Sequence, residues 1–211
     1  MVGGGINEAE MQAAQQRIAA ERRRIRHFTF EKEMGDDWVG TLSETDETPP
    51  LDAVDGVYLI LGYKDRMVVV RGEGESQFRI PRLHVDEAAR DTSARGGPAA
   101  QLNRWLKPVC RGQWGVHLKE WTQHTRFELE PTPENTAVAP ETRRYELFLY
   151  GAASKLDDLP DGSAWARRAV TRKDFNRLIQ TGYTEFEETV RDVHEAYVVQ
   201  WERAAAHARR G

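Results

Sequence analysis

The chain has 211 residues, 39% of them hydrophobic and 30% charged, with a formal net charge of −4 and a single cysteine, Cys110. Those proportions describe a folding chain with a heavily charged surface, and the acidic balance excludes a protein held mainly by nucleic acid, except through local patches. One cysteine excludes an internal disulfide and a cysteine-rich zinc site, and no stretch approaches the ~18 apolar residues of a membrane span.

The first residues, MVGGGINEAE, carry neither a signal-peptide apolar run nor the Arg-rich, acid-poor pattern of a transit peptide. Residues 7–33 read as one long helix. Asn7 is its N-cap, and Glu8 and Glu10 suit the dipole of the first turn. Met11, Ala14, Ile18 and Ile25 make only a thin apolar stripe, while Arg17, Arg22, Arg23, Arg24 and Arg26 make one half basic. A helix this polar buries little on its own domain, so those arginines are candidate contacts for RNA or an acidic protein; a solvated face is the plain alternative. Gly35–Asp55 is acidic, broken by Pro49-Pro50, and reads as a linker with Trp38 anchored on a neighbouring surface.

The core opens with two apolar, β-branched runs, VYLILGY (57–63) and MVVVRG (67–72), joined by Lys64-Asp65-Arg66. FRIP (78–81) follows, then a helical run, DEAARDTSARGG (86–97). Leu102, Trp105 and Leu106 continue a short helical pattern that ends before Pro108. WGVHLKEW and HTRFELE, within 113–130, alternate as two strands with one buried face. PTPENTAVAPET (131–142) is a loop, RYELFLYGA (144–152) a strong strand, DDLPDG (157–162) a turn and SAWARRAV (163–170) an extended segment. Thr171-Arg172-Lys173-Asp174 has the form of a capping box, opening a helix with Phe175, Leu178 and Ile179 inside and Gly182 at its end. Thr184-Glu185-Phe186-Glu187 opens the last helix, where Phe186, Val190, Val193, Tyr197 and Trp201 share an apolar face. The division expected is an N-terminal helix and linker over 1–55, a core over 56–183 and a C-terminal helix over 184–211. Helices packed on a mixed sheet make the class α+β.

Strand, short turn, strand, aromatic-x-x-Pro, helix and Gly over Val57–Gly97 resemble the opening of a Nudix hydrolase domain. The resemblance implies a Nudix-like α/β/α sandwich with a mixed sheet, extended by the long N-terminal helix and a C-terminal helical extension. In an active member the helix carries Arg-Glu and then a Glu-Glu pair that holds magnesium on a diphosphate substrate. Here Arg90-Asp91 stand for the first pair, and the second falls on Ala94 and Arg95. A guanidinium at a ligand position puts positive charge where the cation should sit, a cost that a small backbone shift does not remove. After Pro81 the loop reads Arg82-Leu83-His84, without the family's usual Gly-Gly. The expectation is a kept scaffold with no catalytic residue, no metal and no cofactor, and so no enzyme.

The order of further segments resembles the mitochondrial large-ribosomal-subunit protein forty-six family, which is Nudix-like. HFTFEKEMG (27–35), TLSETDETPPLD (41–52), VYLILG (57–62), FRIP (78–81), Ala89-Arg90-Asp91-Thr92 and SAWARRAVTRKDFNRLIQTGYTEFEETVRDV (163–193) carry that likeness. It implies a structural constituent of the mitochondrial large ribosomal subunit, at its central protuberance. Its partners would be other large-subunit proteins, with limited rRNA contact and no membrane. Arg17, Arg22, Arg23, Arg24, Arg26, Tyr197 and Trp201 are then the candidate contact residues. The segment after FRIP is shorter than the family's, and 108–121 is longer, which leaves the register of the signature helix open. The alternative is a Nudix hydrolase of nucleoside diphosphate derivatives, with ligands such as Glu73, Glu75 or Glu87, or a Nudix-like regulator that binds a nucleotide.

Other chemistry is thinly supported. His84, His117 and His124 match no ligand spacing. Cys110 has no base evident beside it, so an inert thiol is the default. Gly3-Gly4-Gly5 and Gly72-x-Gly74 lack the Lys-Ser/Thr of a phosphate loop. Trp38, Trp121 and Trp201 lie at element edges and are candidate interface anchors.

Overall fold

The computed structural model describes residues 25–29, 37–86, 89, 96–182, 190, 191 and 194. They fall in two compact units, one holding residues 25–43 and 127–143 and the other the rest.

In the larger unit β3 (Val54–Tyr63) is the organising strand. Apart from Asp55 near its start it is largely apolar, and nine of its ten residues are buried, the signature of a strand covered on both faces. One edge pairs in parallel with β7 (Arg144–Leu156), from Val57↔Leu147 to Gly62↔Ala152. The other edge is shared. Its C-terminal residues pair antiparallel with β4 (Arg66–Gly72), Leu61 opposite Val68, across a turn where Lys64 takes φ 54°. Its start pairs with β5 (Arg82–His84), Val57 opposite Leu83. β6 (Val116–Pro131) lies beyond β7, and β8 (Trp165–Val170) lines β4 antiparallel from Met67↔Val170 to Gly72↔Trp165. The order is β6-β7-β3-β4-β8, with β5 beside β3, and the sheet is mixed.

Strand alternation sorts the core into two layers. Val57, Leu59, Leu61, Val68, Val70, Leu147 and Leu149 face helix α1 (Gly97–Trp114), which buries Leu102, Trp105, Leu106, Cys110 and Trp114 against them. Tyr58, Ile60, Met67, Val69, Phe148 and Tyr150, the alternate positions, are buried as well. Helix α2 (Arg172–Gly182) lies against β4 with Phe175 and Ile179 buried. The fold is α+β, with a mixed sheet and few helices among the described residues. Among the described residues no helix is long and apolar enough to cross a membrane.

Several expectations change. Ile25–Thr29 is a strand, β1, paired antiparallel with β2 (Asp37–Glu44), so the helix read over 7–33 does not run through them. The supposed linker holds β2, with Trp38 buried, and the core begins at Val54. Val116–Trp121 and HTRFELE belong to one long strand, β6, while Trp114 closes the helix before it and Gly115 caps that helix. Helix α1 passes through Pro108 and runs on to Trp114. Proline removes one hydrogen bond there, but the five buried side chains on one face hold both halves of the helix to the sheet.

Thr171 and Asp174 form the cap expected of them, the Thr171 hydroxyl accepting from the Asp174 N–H at 3.2 Å. Of the last segment, Val190, Arg191 and His194 are described and helical, and Val190 is buried. Phe186, Val193, Tyr197 and Trp201 lie outside the described residues. His194 is 4% exposed, packs on the Phe175 ring at 4.9 Å and has no partner for Nδ1. Burial, reinforced by the positive charge of Arg172, pulls its pKa down to about 4. The unfolded imidazole takes its proton near ~6.5, so between these values the unfolded chain binds a proton that the folded chain refuses. Stability should therefore be full above the unfolded value and fall as pH drops through this window. The melting temperature should decline from neutral pH toward the lower value, and His194→Leu should flatten that part of the curve.

Candidate functional site

The segment that would carry Nudix chemistry is pinned at both ends. Leu59 N–H donates to the Pro81 carbonyl at 2.8 Å, and Arg79 and Val70 exchange backbone bonds of 2.8 and 2.9 Å. These bonds hold FRIP against both strands of the hairpin. Asp86 Oδ1 then accepts from Ala89 N–H and from Trp105 Nε1, each at 3.1 Å, tying the following turn to α1. Arg90, Asp91, Ala94 and Arg95 lie outside the described residues, as does Glu87. Helix α1 packs on the sheet, and its sequence GPAAQLNRWLKPVCRGQW contains no carboxylate. Among the described residues no three His, Cys, Asp or Glu side chains group as metal ligands.

The charged features separate into three places. The first is a cavity of about 430 Å³ lined by Gly74, Glu75, Phe78, Arg79 and Leu178, among others. The guanidiniums of Arg71 and Arg168 lie over the Phe78 ring, 5.1 and 4.5 Å from its centre. They reach it because Val69 pairs with Arg168 and Arg71 with Ala166, which puts both arginines on one face of adjacent strands. The ring holds the cations by its quadrupole while leaving their N–H groups free to donate. Glu75, an alternative metal ligand from sequence, instead accepts from Gly72 N–H at 2.9 Å and from Arg79 Nε at 3.0 Å. Glu73 is exposed.

The second place is a buried ionic network under β5. Arg82 Nη2 donates to Glu146 Oε1 at 2.7 Å, and Arg144 Nε to Asp55 Oδ1 at 3.0 Å. The Arg82 guanidinium lies over Tyr58, which stacks on Phe148 at 4.7 Å. Burial works against the Arg82 charge, but Glu146, Tyr58 and Asp55 outweigh it and its pKa is raised. Each carboxylate gives one oxygen to an arginine in these pairs.

The third is at the end of α1. Asp157 takes Lys155 Nζ at 2.6 Å and His117 Nε2 at 2.5 Å. Those two bonds hold its carboxyl down to about 2. Gly115, with φ 62°, ends α1, and Arg167 donates to the carbonyls of Trp114 and Asp157. His117 is thus a tethered side chain, and His84 is exposed at the end of β5. Cys110 is fully buried, and burial pushes its thiol up to about 12. Trp121 donates to Asn103 Oδ1 at 3.0 Å, within the fold. The arginine–phenylalanine cluster was missed from sequence, because only the strand register brings residues 71, 78 and 168 together.

No family model matches the sequence, and no curated protein matches it. Solved structures do. The Bacillus subtilis pyrophosphohydrolase BsRppH is 10% identical, with 72% of this chain and 83% of that one covered and a TM-score of 0.41. Tm1382, a candidate Nudix hydrolase, is 9% identical over 67% and 70%, with a TM-score of 0.45. A Nudix hydrolase from Nitrosomonas europaea is 9% identical over 68% and 88%, with a TM-score of 0.44. With Nudix hydrolases as the structures it resembles, the assignment as an inactive structural constituent of the mitochondrial ribosome is corrected, and with it the statement that the chain is no enzyme. The hydrolytic activity is that of those proteins.

Proposed function

We propose that this chain binds a nucleoside diphosphate derivative, with the phosphates on Arg71 and Arg168 beside the Phe78 cavity. The observation that carries the reading is the pair of guanidiniums fixed on the ring of Phe78, a residue that lines a cavity of about 430 Å³. Among the described residues neither arginine has a carboxylate partner, so their charge is available to a ligand. A planar guanidinium meets phosphate oxygens with two parallel N–H groups, and holding it in place beforehand reduces the ordering cost of binding. The volume falls within the ~300–1,000 Å³ of small-ligand sites.

The test is calorimetric titration of the full chain with ADP-ribose, with and without magnesium. Wild-type protein should bind, and Arg71→Glu with Arg168→Glu should weaken binding at least ~tenfold, or ~1.4 kcal/mol. Phe78→Ala should weaken it less, by freeing the guanidiniums without removing them. Cleavage in magnesium at ~1–1,000 per second would make the site hydrolytic, and binding without cleavage would make it a sensor. Absence of binding, or binding indifferent to charge reversal, would overturn the reading.

A further inference from the structure

β8 is the last strand of the sheet, and among the described residues no strand pairs with its outer edge. The groups on that edge follow from the register. Val70 lies opposite Arg167, yet its N–H and C=O bond to Arg79, so Val70 and Arg167 exchange no ladder bonds. Antiparallel pairing alternates bonded with unbonded pairs. The inward backbone groups of β8 are therefore those of Ala166, Arg168 and Val170, opposite Arg71, Val69 and Met67. Those of Trp165, Arg167 and Ala169 point outward. The Trp165 N–H is taken by Ser163 Oγ at 3.1 Å, which leaves Arg167 and Ala169 as the usable run. The Arg167 guanidinium is turned to the carbonyls of Trp114 and Asp157, whereas Arg168 is exposed on the other face, over Phe78.

We infer that this edge takes an extended acidic segment of another protein as an added antiparallel strand. Outward N–H and C=O groups on an edge are a template for pairing. A partner residue opposite Arg167, and another opposite Ala169, would each exchange two backbone bonds. The residue between them sits opposite Arg168 in the close, unbonded kind of pair, where side chains meet. A carboxylate there pairs with the exposed guanidinium. Residues 163–173 carry Arg167, Arg168, Arg172 and Lys173 and no Asp or Glu, so nothing in this stretch repels an acidic strand. The same charges reject a second copy. A twofold pairing that uses all the outward groups of Arg167 and Ala169 sets Arg168 directly opposite itself, and like charges in that position destabilise. The edge is available whether or not the Phe78 cavity takes a phosphate.

Two blocked hexapeptides, titrated separately into the full chain, test this: one alternates threonine with glutamate, the other threonine with lysine. Wild-type protein should bind the glutamate peptide at least ~tenfold more tightly than the lysine peptide. Ala169→Pro removes an outward N–H and no bond to β4, a change that edge strands tolerate. It should weaken the glutamate peptide at least ~tenfold while the melting temperature is kept. Arg168→Glu should reverse the preference. Where proline unfolds the strand, amide exchange of the wild-type protein decides. Arg167 and Ala169 should then exchange at least ~tenfold more slowly under saturating glutamate peptide. No binding, equal binding of the two peptides, or binding with exchange at Arg167 and Ala169 unchanged would overturn the proposal. So would a wild-type dimer that Ala169→Pro disperses, because the occupant would then be a second copy.

Discussion

Gly56→Ala should destabilise the protein by ~3 kcal/mol or more, because a Cβ there collides with a buried ion pair. The new carbon would lie 2.4 Å from Glu146 Oε2 and 2.7 Å from Arg82 Nη2. Side-chain tips elsewhere swing aside cheaply. Here Glu146 is 1% exposed on a strand buried between layers, so it has no solvent to swing into. Arg82 can leave, being the more exposed partner, but its departure strands a buried carboxylate. Breaking such a pair costs ~3–5 kcal/mol, far more than the pair contributes over an apolar replacement. Denaturant midpoints measure the loss, with an unchanged slope showing that the unfolded state is the same. A cycle with Glu146→Leu isolates the cause: in that background Gly56→Ala should cost much less. An equal cost in both backgrounds would sink the explanation.

Trp114→Ala should cost ~3–5 kcal/mol, the range for truncating a buried large aromatic. Trp114 is fully buried as the last residue of α1 and meets Trp165 edge-to-face, ring centres 5.9 Å apart. Its loss opens a cavity where the helix end, β8 and the Arg167 capping bonds converge. Trp114→Phe should behave differently. The indole N–H is buried without a hydrogen-bond partner, a standing desolvation penalty. Phenylalanine loses volume but also removes that penalty, so its cost should be ~1 kcal/mol or less. A Phe variant as damaged as the Ala variant would show that volume alone matters at this position.

Element types were largely legible in the sequence, and their extents were less so. The hairpin over 57–72, the 144–152 strand and the Thr171 cap followed from local signals: β-branched runs, turn residues and a Thr three residues before Asp. Misreadings arose where tertiary contacts outweigh local preference. Pro108 is a helix-breaking signal, yet the apolar stripe from Leu102 to Trp114 continues on helical spacing through it, and burial of that stripe prevails. Ile25 and Phe28 sit in a polar, Arg-rich stretch that reads as helical, but the backbone of 25–29 pairs with 37–41. Site chemistry was least visible. The carboxylates Asp55 and Glu146, and the arginines they hold, are far apart in sequence, and no spacing rule connects Arg71, Phe78 and Arg168.

The single thiol has a practical consequence. Cys110 is sealed between α1 and the sheet, and its high pKa leaves almost no thiolate at neutral pH. A thiol reagent therefore meets no target until α1 lifts away. The rate of labelling then reports how often that helix opens, without an introduced probe.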